Sequence, residues 1–154
     1  MEAKTKLIAP ADRQEIIITR EFDLPVEMLY KAYTVPELVE QWMSTKVIKL
    51  ENKTHGGWQF ETSYDGKVVF SAHGVIHEVI PEQKITRTFE MDNAAFPPQI
   101  EYFSFEPLGE NSSRLTMHIV FKSVDLRDDM LKLPFAMGIN MAHNRLQEIL
   151  TNLK

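Results

Sequence analysis

The sequence predicts an α+β domain in which a curved antiparallel sheet of about six to seven strands wraps one long C-terminal helix, with two short helices after the first strand. Three observations carry this expectation. Residues 47–121 form short β-rich runs separated by turn residues, and side chains alternate along several of them. The last segment changes to a 3.6-residue repeat. Between residues 23 and 37, two helix-start signals stand close together.

In chain order, residues 1–14 read as a loosely docked N-terminal lead and 15–154 as a single domain. Ile16, Ile17 and Ile18, followed by Phe22, form the first strand, because β-branched side chains suit a pleated surface. Pro25 sits where helices begin, with Asp23 beside the positive helix end, so 25–33 is a short helix carrying Leu29, Tyr30 and Tyr33. Thr34 and Glu37 have capping-box spacing around Pro36, and start a second short helix with Leu38, Val39 and Trp42.

Strands follow over 47–50, 57–64, 68–79, 85–91, 100–106 and 114–121. Asp65-Gly66 between two of them signals a hairpin, since both residues tolerate positive φ. Connections this short make neighbouring strands antiparallel. Alternation puts Trp58, Phe60, Thr62 and Tyr64 on one face, and Leu115, Met117, Ile119 and Phe121 on one face of another strand. Residues 125–133 read as a separate short helix before Pro134. The final helix then shows a stripe of Phe135, Ile139, Ala142, His143, Leu146, Ile149, Leu150 and Leu153. A single helix stripe cannot fill the concavity of a curved sheet, so an apolar cavity between the two is expected.

Composition narrows the function classes. At 44% hydrophobic and 25% charged residues, the chain resembles an ordinary globular protein and not a disordered one. A net charge of −5 argues against nucleic-acid or anionic-membrane surfaces, which need clustered Lys and Arg. The absence of cysteine removes disulfides, thiolate metal sites and cysteine nucleophiles. No signal-peptide pattern and no apolar run of membrane-spanning length is present, which points to the cytoplasm. There is no nucleophile elbow, phosphate loop or dinucleotide fingerprint, so no cofactor is implied and no acid/base dyad can be assigned. His73 and His77 share a strand face but stand roughly 13 Å apart at about 3.3 Å per residue, too far to hold one ion.

The ordered motifs resemble a known family. Arg20-Glu21-Phe22-Asp23-Leu24-Pro25, Val35-Pro36-Glu37-Leu38 and Gln41-Trp42 are similar to the opening of the family named for the activator of the heat-shock-protein-90 ATPase, within the START-like, helix-grip superfamily. Gly56-Gly57-Trp58-Gln59-Phe60, Asp65-Gly66-Lys67, 74–82, Arg114-Leu115-Thr116, Gly138-Ile139 and 145–150 continue the match. The resemblance implies the helix-grip fold and a cavity for a small hydrophobic or aromatic ligand. It also admits an aromatase/cyclase-type enzyme or a chaperone-associated domain with a heat-shock chaperone as partner. A homodimer through exposed strand edges is a further expectation. Relatives usually carry Trp where this chain has Ile139, and Leu where it has His143, which would enlarge and polarise the cavity.

On this reading the ligand-binding candidates are Trp42, Trp58, Phe60, Thr62, Tyr64, Phe89, Phe103, Met117, Ile119, Phe135, Ile139 and His143. The aromatic residues supply broad apolar walls, and methionines such as Met117 adapt to irregular ligands. His143 is the residue to examine first, either as a polar contact for a ligand or as a satisfied buried histidine.

Overall fold

The computed structural model describes residues 4–92 and 96–153. Eight strands form one sheet, flanked by four helices: β1 (Lys6–Ile8), β2 (Glu15–Phe22), α1 (Val26–Thr34), α2 (Pro36–Met43), β3 (Lys46–Leu50), β4 (Gly57–Tyr64), β5 (Lys67–Ile80), β6 (Lys84–Met91), β7 (Gln99–Gly109), β8 (Ser112–Val120), α3 (Val124–Leu131) and α4 (Phe135–Asn152). The sheet order is β1-β2-β8-β7-β6-β5-β4-β3, and every pair is antiparallel. This is the expected helix-grip architecture.

The strand count is one correction to the expectation. The eighth strand is Lys6–Ile8, which pairs with Ile17–Thr19 of β2. Three residues are too few to show alternation, so this strand is settled by its partner. A second difference is local. Thr34 does not cap α2; its hydroxyl bonds back to the Tyr30 carbonyl at 3.0 Å and closes α1. Val35 stands at the α2 N-cap, with Pro36 in the first turn.

The turn chemistry behaves as its residues require. Asp65 and Gly66 have φ of 54° and 78°, and this two-residue turn joins β4 to β5. Gly74 on β5 serves close packing, because a Cβ there would strike the Thr88 carbonyl and lie 2.6 Å from the Trp58 indole nitrogen. With no Cβ in the way, that nitrogen donates to the Thr88 carbonyl at 3.0 Å.

The concave face gathers the core. Ile16, Ile18 and Phe22 on β2, Leu115, Met117 and Ile119 on β8, and Phe103 and Phe105 on β7 are all buried. Met117 lies between Ile18 and Phe103 in register. Across this face runs α4, held to α2 by a hydrogen bond from Arg145 Nε to the Trp42 carbonyl at 3.1 Å.

The two halves of α4 pack differently. Its C-terminal half buries His143, Leu146 and Leu150. In the N-terminal half Phe135, Ile139 and Ala142 are only partly buried, while Met137 and Met141 are 65% and 52% exposed. The sheet and the helix therefore part at this end.

Candidate functional site

Where α4 lifts from the sheet, a cavity of about 560 Å³ opens. One side is the first half of α4 with its approach segment, including Leu133, Pro134, Phe135, Gly138, Ile139 and Ala142. Opposite stand sheet residues: Phe70 from β5, Arg87, Phe89 and Met91 from β6, Gln99 and Glu101 from β7, and Met117 and Ile119 from β8. Tyr33, Trp42, Met43 and Met130 complete the lining from the shorter helices. The size suits a small organic molecule.

Six of the sequence-predicted residues meet at this cavity: Trp42, Phe89, Met117, Ile119, Phe135 and Ile139. The other six lie elsewhere. Trp58 and Phe103 are buried one layer behind the wall. Phe60 packs on Trp58 with ring centroids 4.9 Å apart. Thr62 turns toward the β3 side, where its hydroxyl donates to that of Thr45 at 3.0 Å. Tyr64 sits at the β4–β5 hairpin and is 77% exposed. Alternation tied Tyr64 to Trp58 in phase, but the register shifts between Thr62 and Ser63, so the end of β4 departs from the concave face.

His143 is fully buried in the sealed half of α4 and does not line the cavity. Its Nε2 shares a 2.9 Å hydrogen bond with the Tyr33 hydroxyl, and its Nδ1 lies 3.5 Å from the Thr5 hydroxyl. Phe22 meets the imidazole edge-on, with centroids 5.4 Å apart. Burial, and secondarily the Arg20 guanidinium, push the imidazole down to about 3, so it is neutral near pH 7. Burial also pushes the Tyr33 hydroxyl well above its ordinary value.

The Arg20 guanidinium completes this network by donating from Nη1 to Asn144 at 2.7 Å and to Thr5 at 3.3 Å. Its Nε is buried with no hydrogen-bond partner among the described residues. The N-terminal lead thus joins the core, since Thr5 also donates its backbone N–H to Asn140 on α4 at 3.2 Å.

A second polar centre was not anticipated. Arg87 and Glu101 face one another across β6 and β7, and Arg87 Nε donates to Glu101 Oε1 at 2.9 Å. Gln99 Nε2 donates to the other carboxylate oxygen at 3.1 Å. The Arg87 guanidinium lies 4.3 Å from the Trp58 ring centroid and 4.7 Å from that of Phe103. Both residues of the pair are largely buried and line the cavity. Trp58 and Phe103 therefore reach the site through Arg87, as the aromatic bed that fixes it. The signal was strand phase: Arg87 shares parity with Ile85 and Phe89, and Glu101 with Phe103 and Phe105. A charge in phase with core residues points inward.

His73 pairs with Asp92 at 2.7 Å and Glu90 at 3.3 Å on a half-exposed surface. No group of side chains suited to a metal ion occurs among the described residues. Among them, too, no helix is long and apolar enough to cross a membrane.

Solved structures share the fold. A Rhodobacter sphaeroides protein superposes with a TM-score of 0.85 at 17% identity, covering 96% of this chain and 99% of its own. Protein Ms6760 from Mycobacterium smegmatis gives 0.83 at 18% identity, with 94% and 95% covered. An Arthrobacter aurescens protein gives 0.84 at 16% identity, with 96% and 91% covered. Among curated protein sequences, none matches the chain significantly. The sequence profile described as activator of Hsp90 ATPase homolog 1-like protein matches residues 23–151, which contain the helices up to the last residue of α4, the cavity wall and both polar centres but for Thr5 and Arg20; the chain belongs to that family, within the START-like superfamily.

Proposed function

We propose that this protein is a binding module for a small, mainly hydrophobic or aromatic molecule held between the sheet and the first half of α4. The observation that carries the reading is the cavity of about 560 Å³, walled by Trp42, Phe89, Phe135, Ile139 and methionine side chains. Burying apolar ligand surface there is favourable at roughly 25 cal/mol per Å² before the costs of association. Flexible methionines at the wall suit ligands of varied outline. The family supports ligand binding in general, and the cavity is the feature of this chain that favours that reading.

The aromatase/cyclase alternative would need a proton-moving group at the cavity. Of the cavity's candidates, the Tyr33 hydroxyl is kept protonated by burial, and the Glu101 carboxylate is taken up by Arg87 and Gln99. Binding without turnover is the simpler reading.

Native mass spectrometry of the freshly purified protein, followed by melting with added naphthalene-type, flavonoid and fatty compounds, tests the proposal. A co-purifying small molecule, or a dose-dependent rise in Tm by mass action, is expected. A protein that carries nothing and melts at one temperature with every compound would sink it.

A further inference from the structure

The cavity is not uniformly apolar. Arg87 and Glu101 are the charged residues among the described ones that line it, and they sit together. Arg87 spends only its Nε on Glu101, and its two Nη groups have no hydrogen-bond partner among the described residues. A guanidinium carries five N–H donors, so several remain for an incoming acceptor. The head group cannot swing away, because Trp58 and Phe103 flank it and Glu101 holds its Nε. Glu101 in turn is fixed by Gln99.

The pair sums to no net charge, which decides the kind of acceptor. A carboxylate brought to Arg87 would leave two carboxylates around one cation inside an apolar cavity, and would lose its own hydration as well. A neutral oxygen meets the same donors without that penalty. Resting on the binding reading above, we infer that the ligand is an amphipathic molecule that enters apolar body outward and presents an uncharged acceptor oxygen, a carbonyl above all, to the free Nη groups of Arg87. Glu101 is then a specificity residue: it cancels the charge that would otherwise recruit acids.

Three near-isosteric probes separate the contributions: ethylnaphthalene, acetylnaphthalene and naphthoate, titrated by calorimetry or by quenching of Trp42, which lines the cavity. The wild type should bind acetylnaphthalene about tenfold more tightly than either other probe, the scale of one hydrogen bond to a charged donor. In Glu101→Gln the amide still accepts from Arg87 but the negative charge is gone, and naphthoate should become the tightest of the three. In the double variant Arg87→Met with Glu101→Met, which leaves no buried charge unpaired, acetylnaphthalene and ethylnaphthalene should bind equally.

If none of the probes binds the wild type, the binding reading falls and this inference with it. If all bind alike, or naphthoate is already tightest in the wild type, the cavity binds ligands but the assignment of its polar end is wrong. A ketone preference unchanged in the double variant would overturn it as well.

Discussion

Two buried polar centres flank Tyr33, and they are finished in opposite ways. Around His143, the buried polar groups of Tyr33, Thr5 and Arg20 turn toward one another, with exposed Asn144 accepting from Arg20 at the rim and Arg20 Nε left without a partner among the described residues. Around Arg87, Nε donates to Glu101, which Gln99 also holds, while the Nη groups have no hydrogen-bond partner among the described residues and Arg87 lines the cavity. Burying a polar group costs free energy unless it is hydrogen-bonded. A network whose groups mostly pair with one another offsets most of that cost within the fold, and its role is then structural. An incomplete one is completed by water or by a ligand, so it has something to recognise. The contrast follows α4: its sealed half covers the first centre and its lifted half leaves room beside the second.

The largest effect that can break this comparison is on stability. Leu146 in the sealed half is fully buried, so Leu146→Ala should cost about 2–5 kcal/mol by leaving a void. Ile139 in the lifted half already borders empty space, and Ile139→Ala should cost about 1 kcal/mol or less. Urea denaturation of both variants measures the difference. Equal losses would mean that α4 is packed evenly along its length and that the two halves are not distinct.

A pH experiment sharpens the same contrast. The folded-state value of His143 lies near 3, below its ordinary 6.5. Between those limits the unfolded chain takes up a proton that the folded chain does not, so folding stability rises with pH through this window. The contribution is complete above about pH 6.5 and is lost as the pH falls toward 3. Wild type minus His143→Gln should therefore slope by up to about 1.4 kcal/mol per pH unit, the value for one proton. The charged neighbour is Arg20 on β2, which acts in the same direction, and the Tyr33 hydroxyl on α1 stays neutral throughout. A flat difference between pH 7 and 5 would mean that water reaches the imidazole and that this centre is not sealed.

How much of this was legible in the sequence depends on the scale of the signal. Period alone yielded the order of elements and the inner stripe of α4, because alternation and the 3.6 repeat reflect a buried face directly. It could not yield β1, whose three residues have no period of their own. The cavity wall was half legible. Trp42, Phe89, Met117, Ile119, Phe135 and Ile139 were found, but large apolar side chains look alike in sequence whether they meet a void or a neighbour. Thr62 and Tyr64 were drawn in by phase, and the register shift in β4 cannot be read from composition. His143 stood out as a polar residue on an apolar stripe, yet its partners come from α1 and from the N-terminal lead, more than a hundred residues away. Arg87 and Glu101 were within reach, since both break an inward-facing phase.

The smallest expected stability effect also speaks most directly to function. Ile139 stands on the cavity wall opposite the sheet. Enlarging a side chain in a well-packed core typically costs about 1–3 kcal/mol. Here the added ring can enter the cavity of about 560 Å³, so steric strain and newly buried apolar surface should nearly cancel. We expect Ile139→Trp to leave stability within about 1 kcal/mol of wild type while filling the part of the cavity that lies against α4. Melting with and without acetylnaphthalene separates the two effects. The ligand-induced rise in Tm should shrink in the variant while the Tm of the free protein stays close to wild type. A variant that keeps both its stability and its ligand response would mean that the ligand sits away from α4. A variant that loses several kcal/mol would mean that the space beside Ile139 closes up in solution, and the lifted half of α4 would then be sealed like the other.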